Sequence, residues 1–442
     1  MLFPDETMNH QIILFCQHFN YHKMKKTIVI GLLCLITTGL LYAQNKSAGS
    51  VDFARRDLVR RFEIHVPQVK LDSVMKKVKT AALPRQMPPR DNASNWETGM
   101  DMNWLRGLQS YWIDSFDWRK QERLLNSYPQ FTAKVDEFEI QFYYIKGEGK
   151  NPLPLVMTHG WPGSTFEFFK VIDPLTQPSK YGGKSEDAFT LIIPALPGFG
   201  FSSMPSKPVN ANTAAKLWNK LVTEIIGYKQ YFAQGGDWGA GVTIRLAYLF
   251  PDNVKAIHLN FFPGITVPEN EQTEAEKKYF AAINAWRIGG FDYWRIQADK
   301  PMMAAVALHD SPLGTAGWIA EKFWAWADHH GNLDSLISKD RLLTNIMLYI
   351  INPGGIDGSF WYYRGSLSEL NGSTWPGYVS IPTSISKYPG DMPVTRPPSE
   401  TVKRGYNVVR FTDMPRGGHF AAMEQPELFV QDIREAFRPY RN

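Results

Sequence analysis

The chain has 442 residues, 44% of them apolar and 21% charged, which is enough apolar content for a sizeable core and argues against general disorder. The formal net charge of +5 is spread thinly, with no basic run beside interleaved aromatics, so nucleic-acid binding has little support. Both cysteines, Cys16 and Cys34, fall before residue 45, which leaves the rest of the chain without disulfide, thiol nucleophile or cysteine-based metal site.

Residues 1–44 read as a leader. Within it, MKKTIVIGLLCLITTGLLYAQ (24–44) has the form of a bacterial secretory signal. Lys25 and Lys26 supply the charged start, residues 27–41 are apolar, and Ala43 gives a small residue before a cut at Gln44. Residues 1–23 do not fit such a signal and point to Met24 as the start. The apolar run is short for a membrane span, so the expectation is a periplasmic or secreted protein, with an uncleaved membrane anchor as the alternative. No Leu-x-Gly-Cys surrounds Cys34, which argues against a lipoprotein.

Residues 45–150 form a separable N-terminal segment. Leu105, Leu108 and Trp112 recur at helical spacing, a second helix is expected over 118–125, and Pro84, Pro88 and Pro89 mark an irregular stretch. Residues 131–147 alternate as two strands around a turn near Asp136.

Residues 151–263 then alternate strand and helix. A strand at 153–157 ends in HGWPGS (159–164), and another at 189–193 ends in PALPGFGFSS (194–203). A helix bearing Leu217, Leu221 and Ile225 precedes a strand at 231–234, a helix at 242–250 and a strand at 255–261. This alternation argues a parallel, doubly wound sheet. Residues 264–377 are helical in character and read as an inserted cap. Strands at 378–383 and 407–412 resume the sheet within 378–442, and a helix at 426–438 closes it. There are no internal repeats.

The turn GGDWGA (235–240) between strand and helix has the pattern of the nucleophile elbow of α/β-hydrolases, with Asp237 where serine usually stands. Gly235 and Gly239 let strand and helix approach closely. His419, in RGGHF after the last strand, stands where that fold places its base. Asp391, in KYPGD after the 378–383 strand, is the expected acid, with Asp413 and Glu424 as competitors. The backbone N–H groups of Trp161 and Trp238 would point at one oxyanion.

A carboxylate attacks amides poorly but can displace at an sp³ carbon, giving an alkyl ester that water must hydrolyse. An epoxide and an alkyl halide both suit this. An epoxide oxygen needs a proton donor, for which a neutral tyrosine is suited. Tyr293 (FDYWRIQ) and Tyr363 (WYYRGS) are the candidates, with Tyr362 as the neighbour of the second.

The motifs HGWPGS, GGDWGA and RGGHFAAMEQPELF resemble the microsomal-type epoxide hydrolase family, which includes insect juvenile hormone epoxide hydrolases. LQSYWIDSFDWRKQERLLNSYPQF resembles that family's N-terminal domain, and the likeness runs from about Phe62 to Tyr440. The resemblance implies an α/β-hydrolase with cap and N-terminal extension that converts a small apolar epoxide and water to a diol. It implies Asp237 as nucleophile, His419 as base, Asp391 where many relatives carry Glu, Tyr293 and Tyr363 as epoxide-activating tyrosines with Tyr362 as the runner-up for the second, and no cofactor. Glu137 departs from the glycine usual at the tight turn. A haloalkane dehalogenase with the same Asp and His is the alternative.

Three other signals carry less. Adjacent His329 and His330 beside Asp328 point different ways on a helix and lack a further ligand, so no metal is expected. Gly198-Phe199-Gly200 lacks the context of a dinucleotide fingerprint. Trp286, Trp294 and Trp324 are candidates to line an apolar tunnel in the cap.

Overall fold

The computed structural model describes residues 51–441 apart from 92, 263 and 373–376. The leader and both cysteines lie outside the described residues.

Nine strands form one sheet in the order β1-β2-β3-β5-β4-β6-β7-β8-β9. The first three, β1 (Val59–Phe62), β2 (Gln130–Val135) and β3 (Phe138–Ile145), are antiparallel, and β3 joins β5 antiparallel. β4 (Leu153–Thr158), β5 (Phe189–Pro194), β6 (Tyr231–Gly235), β7 (Val254–Leu259), β8 (Val379–Lys387) and β9 (Tyr406–Asp413) are parallel. β5 is buried along its whole length, as a continuous apolar run in a sheet covered on both faces should be.

The winding reverses between β4 and β6. The chain leaves β4 toward one side to make β5, then crosses back to place β6 on the other side. Open parallel sheets bind ligands in the crevice at the carboxyl ends of such a strand pair. Here those ends carry HGWPGS and GGDWGA.

Several local readings change in the structure. β1 pairs at the sheet edge although its short, half-exposed VRRF gives little strand signal. The β2–β3 hairpin turns on Asp136 and Glu137, and the left-handed residue is Asp136 at φ 53. Aspartate tolerates that region, so Glu137 replaces no required glycine. The helix Ala211–Lys220 continues as a π-turn, Leu221–Ile226, which ends at Gly227 with φ 106. The helix after Asp237 starts at Trp238, four residues earlier than its apolar run suggested, because its first turn is built from small residues.

Between β7 and β8 come the helices Glu274–Gly290, Asp292–Asp299, Pro301–Leu308, Pro312–Trp326, Lys339–Ile351 and Asp357–Gly372. Thr273 and Glu276 close a capping box at the first of them. Buried Glu276 also pairs with Arg404 Nε at 2.8 Å, tying this region to the turn before β9.

The N-terminal helices Gln68–Thr80 and Met102–Asp114 pack on the same helical layer. Leu105, Leu108 and Trp112 are buried as their spacing requires. Trp96 stacks on Trp324 with centroids 4.3 Å apart and planes at 4°. Lys70 Nζ donates to Ile351 O at 2.6 Å, and Tyr111 to Asp340 Oδ1 at 2.9 Å. Among the described residues no helix is long and apolar enough to cross a membrane.

Candidate active site

Asp237 sits at the end of β6 with φ 50 and ψ −126, a region that non-glycine residues seldom occupy. The contacts around it leave no room for larger neighbours. A Cβ on Gly235 would overlap the carbonyl of Gly239, and one on Gly239 would overlap that of Thr158 in β4. The strained turn therefore sets the carboxylate at the end of β6 against the backbone of Gly160, where a Cβ would collide with it.

Two groups reach that carboxylate. The Trp161 backbone N–H donates to Oδ1 at 2.9 Å, and His419 Nε2 lies 3.5 Å from Oδ2. The Trp238 N–H is the first of its helix, where no intrahelical acceptor exists. On its other side, His419 Nδ1 lies 3.0 Å from Asp391 Oδ1. Burial disfavours the charged imidazole, but Asp391 and Asp237 outweigh it and push His419 up to about 10.

The competing acids serve elsewhere. Asp413 is largely exposed and pairs with Lys387 Nζ at 2.5 Å. Glu424 accepts the backbone N–H groups of Gly418, Phe420 and Asp328 at 2.8, 2.8 and 2.9 Å. Burial pushes its carboxyl up to about 7 against those bonds. Glu424 thus clamps the His419 loop, and Asp328 Oδ2 adds a bond from Gly417 N at 2.8 Å. The His419 N–H itself donates to Trp326 O at 2.9 Å.

Tyr293 and Tyr363 stand over the same carboxylate, buried, with ring centroids 6.2 Å apart. Tyr293 stacks on Trp161 at 5.2 Å, and Tyr363 meets Trp161 and Trp238 edge-on at 5.8 and 4.9 Å. Burial chiefly, with the charge of Asp237 added, drives both phenols well above their ordinary value, so both keep their protons. Tyr362 turns instead toward Phe199 and Trp238.

A cavity of about 720 Å³ lies beneath these tyrosines, lined by Asp237, Trp238, Tyr293 and Tyr363 and by apolar side chains such as Phe261 and Ile283. Trp286 and Trp294 line it as well. Trp324 does not, because its faces are taken by Trp96 and by His329 at 4.0 Å. His329 is held between Trp324 O and Gly331 N, and no cluster of three potential metal ligands occurs among the described residues.

His159 of HGWPGS is a strut. It is fully buried, accepts the Leu196 N–H at 3.2 Å, and burial lowers it to about 4. Sequence reasoning missed Glu167, a carboxyl beside Asp237 and His419 that burial pushes up to about 8. Its only signal was an isolated acid in the aromatic run Phe166–Phe169, directly after HGWPGS.

Residues 59–168 match the family described as epoxide hydrolase N terminus, and residues 154–318 match the alpha/beta hydrolase fold. The chain is 35% identical over 416 residues to epoxide hydrolase 1 of Sus scrofa, covering 86% of this chain and 89% of that protein. It is 34% identical over 398 residues to juvenile hormone epoxide hydrolase 2 of Ctenocephalides felis, covering 84% of each. The crystal structure of juvenile hormone epoxide hydrolase from the silkworm Bombyx mori superposes with a TM-score of 0.75 at 28% identity, over 87% of this chain and 96% of that one.

Proposed function

The chain belongs to the epoxide hydrolase family and hydrolyses epoxides, and from that premise we propose that Asp237, His419, Asp391, Tyr293 and Tyr363 carry the reaction. The observation that supports this most is the carboxylate of Asp237 set between the Trp161 N–H and His419, with two protonated tyrosines above it.

Asp237 Oδ2 attacks an epoxide carbon, breaking its C–O bond, while a tyrosine gives its proton to the departing oxygen. The product is an ester at Asp237, with Oδ1 as its carbonyl oxygen. Of the two negative charges that held a proton on His419, that of Asp237 is then gone and only that of Asp391 remains. His419 gives up that proton as its pKa falls, and the tyrosinate regains one, so the imidazole becomes a base only after the ester exists. Water then attacks Cγ as its proton passes to His419, which Asp391 orients. The N–H groups of Trp161 and Trp238 hold the oxyanion on Oδ1. Collapse breaks the bond from Cγ to the substrate-bound oxygen, which takes the second proton of the water from the new carboxyl oxygen. The diol leaves, Asp237 is again a carboxylate and His419 is again charged.

The substrate is an apolar epoxide, since aromatic and aliphatic side chains dominate the large cavity. A haloalkane substrate is not favoured: the buried Trp238 indole N–H could serve a halide, but the pair of tyrosines facing the nucleophile is what an epoxide oxygen needs. Residues 24–44 export the protein to the periplasm or medium, a reading supported by their charged start and apolar run. Turnover of aryl, alkyl and terpenoid epoxides, with the diols identified, tests the reading. Release of bromide from brominated alkanes without diol formation from any epoxide overturns it.

A further inference from the structure

A second cavity, of about 20 Å³, lies against the same carboxylate. Its wall includes Gly160, Gly163, Glu167, Asn260, His419 and Asp237. Asp237 is the one described residue that lines both this cavity and the large one. Tyr293, Tyr363 and Trp238 belong to the large side alone, His419 and Glu167 to the small side alone. A cavity holds one water when it offers roughly 10–15 Å³ or more and two to four polar partners. This one meets both conditions and is too small for an organic substrate.

Glu167 lies on the 3-10 turn Thr165–Phe168 that follows HGWPGS. Its Oε2 rests against Gly163, where a Cβ would collide with it, so the glycine makes the space the carboxyl occupies. Glu167 is half-buried, lines the cavity, and feels the charges of both His419 and Asp237. Asn260 lines the cavity too, its carbonyl oxygen already engaged by Gln234 Nε2 at 2.7 Å.

We propose that this small cavity is the seat of the hydrolytic water and that Glu167 is its positioning residue, so that epoxide and water approach Asp237 from separate compartments. The water gives one hydrogen to His419 Nε2, and a carboxyl oxygen of Glu167 accepts the other. Its lone pair is thereby turned toward Cγ. A new O–Cγ bond forms, the proton moves to His419, and the bond from Cγ to the substrate oxygen breaks as before. Ring opening on the far side uses none of these groups except Asp237. The inference rests on Asp237 as nucleophile.

The test is rapid-quench single turnover with styrene oxide, following the mass of the peptide that bears Asp237. In Glu167→Ala, alkylation proceeds at the wild-type rate while ester hydrolysis slows by about 10²-fold, the size expected when a reactant is misplaced by about 1 Å. Glu167→Gln, whose amide carbonyl still accepts the water's hydrogen, restores most of the hydrolysis. Ala422→Val narrows the cavity without touching the carboxyl and also lets the ester accumulate. Unchanged ester hydrolysis in Glu167→Ala, or equal slowing of both steps, overturns the proposal. If no ester forms on Asp237 in the wild type or in His419→Gln, the nucleophile assignment has failed instead.

Discussion

Trp161 donates its backbone N–H to only one oxygen of Asp237, Oδ1, at 2.9 Å, and so makes the two carboxylate oxygens unequal before any substrate arrives. In the proposed reaction Oδ1 would be the ester carbonyl oxygen and Oδ2, which faces His419 Nε2 at 3.5 Å, the attacking one.

It follows that the diol departs with the former Oδ2. In one turnover with enzyme in excess in heavy-oxygen water, the label should enter Asp237 and be absent from the diol. His419→Gln should form the ester and retain it, so the Asp237 peptide gains the mass of the epoxide. Asp237→Asn should do neither at first. Label in the first-turnover diol would mean that water attacks the epoxide directly.

Tyr293→Phe and Tyr363→Phe each remove a proton donor above the carboxylate, and general acid assistance is typically worth about 10²–10⁴-fold. Each change should slow ring opening, and the pair should nearly abolish it. Tyr362→Phe is the control, because Tyr362 does not line the large cavity. Stopped-flow alkylation rates for the three variants decide this, and a loss confined to Tyr362→Phe would move the role by one residue.

Asp432 should matter for stability and not for chemistry. It is buried on the last helix and receives bonds from Ser386, Thr412 and Arg410, with His258 Nε2 at 2.8 Å. Burial alone would raise its pKa, but the bond and charge of His258, with Ser386 and Arg410, outweigh it and hold the carboxyl well below its ordinary range. A depressed carboxyl stabilises the fold above its unfolded pKa of about 4 and loses that contribution as pH falls. Asp432→Asn should cost about 3–5 kcal/mol at neutral pH, as expected when a buried pair loses one partner. It should also flatten the acid decline expected in wild-type thermal midpoints. Loss of less than 1 kcal/mol at pH 7 would remove the carboxylate from this role.

Export can be read by mass. Protein from the native host should begin near Gln44 and be found outside the cytoplasm. Recovery in the membrane fraction with residues 24–43 attached would replace cleavage with anchoring.

The elbow was legible in the sequence because its sterics demand glycine at fixed spacing, and the two-residue period of β2 and β3 was legible for a similar local reason. What lay beyond reach was set by tertiary contacts. Glu424 resembles a candidate acid in sequence, and only the fold turns its carboxyl onto three N–H groups of the neighbouring loops. Trp324 shares a helix with Trp326, yet its stack on Trp96 takes it away from the cavity. Glu167 sits in an aromatic run that reads as packing, and its meaning comes from a void that no local pattern encodes. The charged state of His419 likewise depends on two carboxylates brought to it from distant strands.

The flat contact of Trp96 on Trp324 bears on how far this enzyme can be shortened. Two residues further along the same helix, Trp326 packs its ring against Tyr293 and accepts the His419 N–H through its carbonyl. An engineer seeking a smaller catalyst by deleting everything ahead of β2 would strip one indole face and the Lys70 anchor at Ile351 from that layer. The excision would be felt at the histidine and a tyrosine, so the segment is better regarded as scaffolding for the reaction than as an appendage to it.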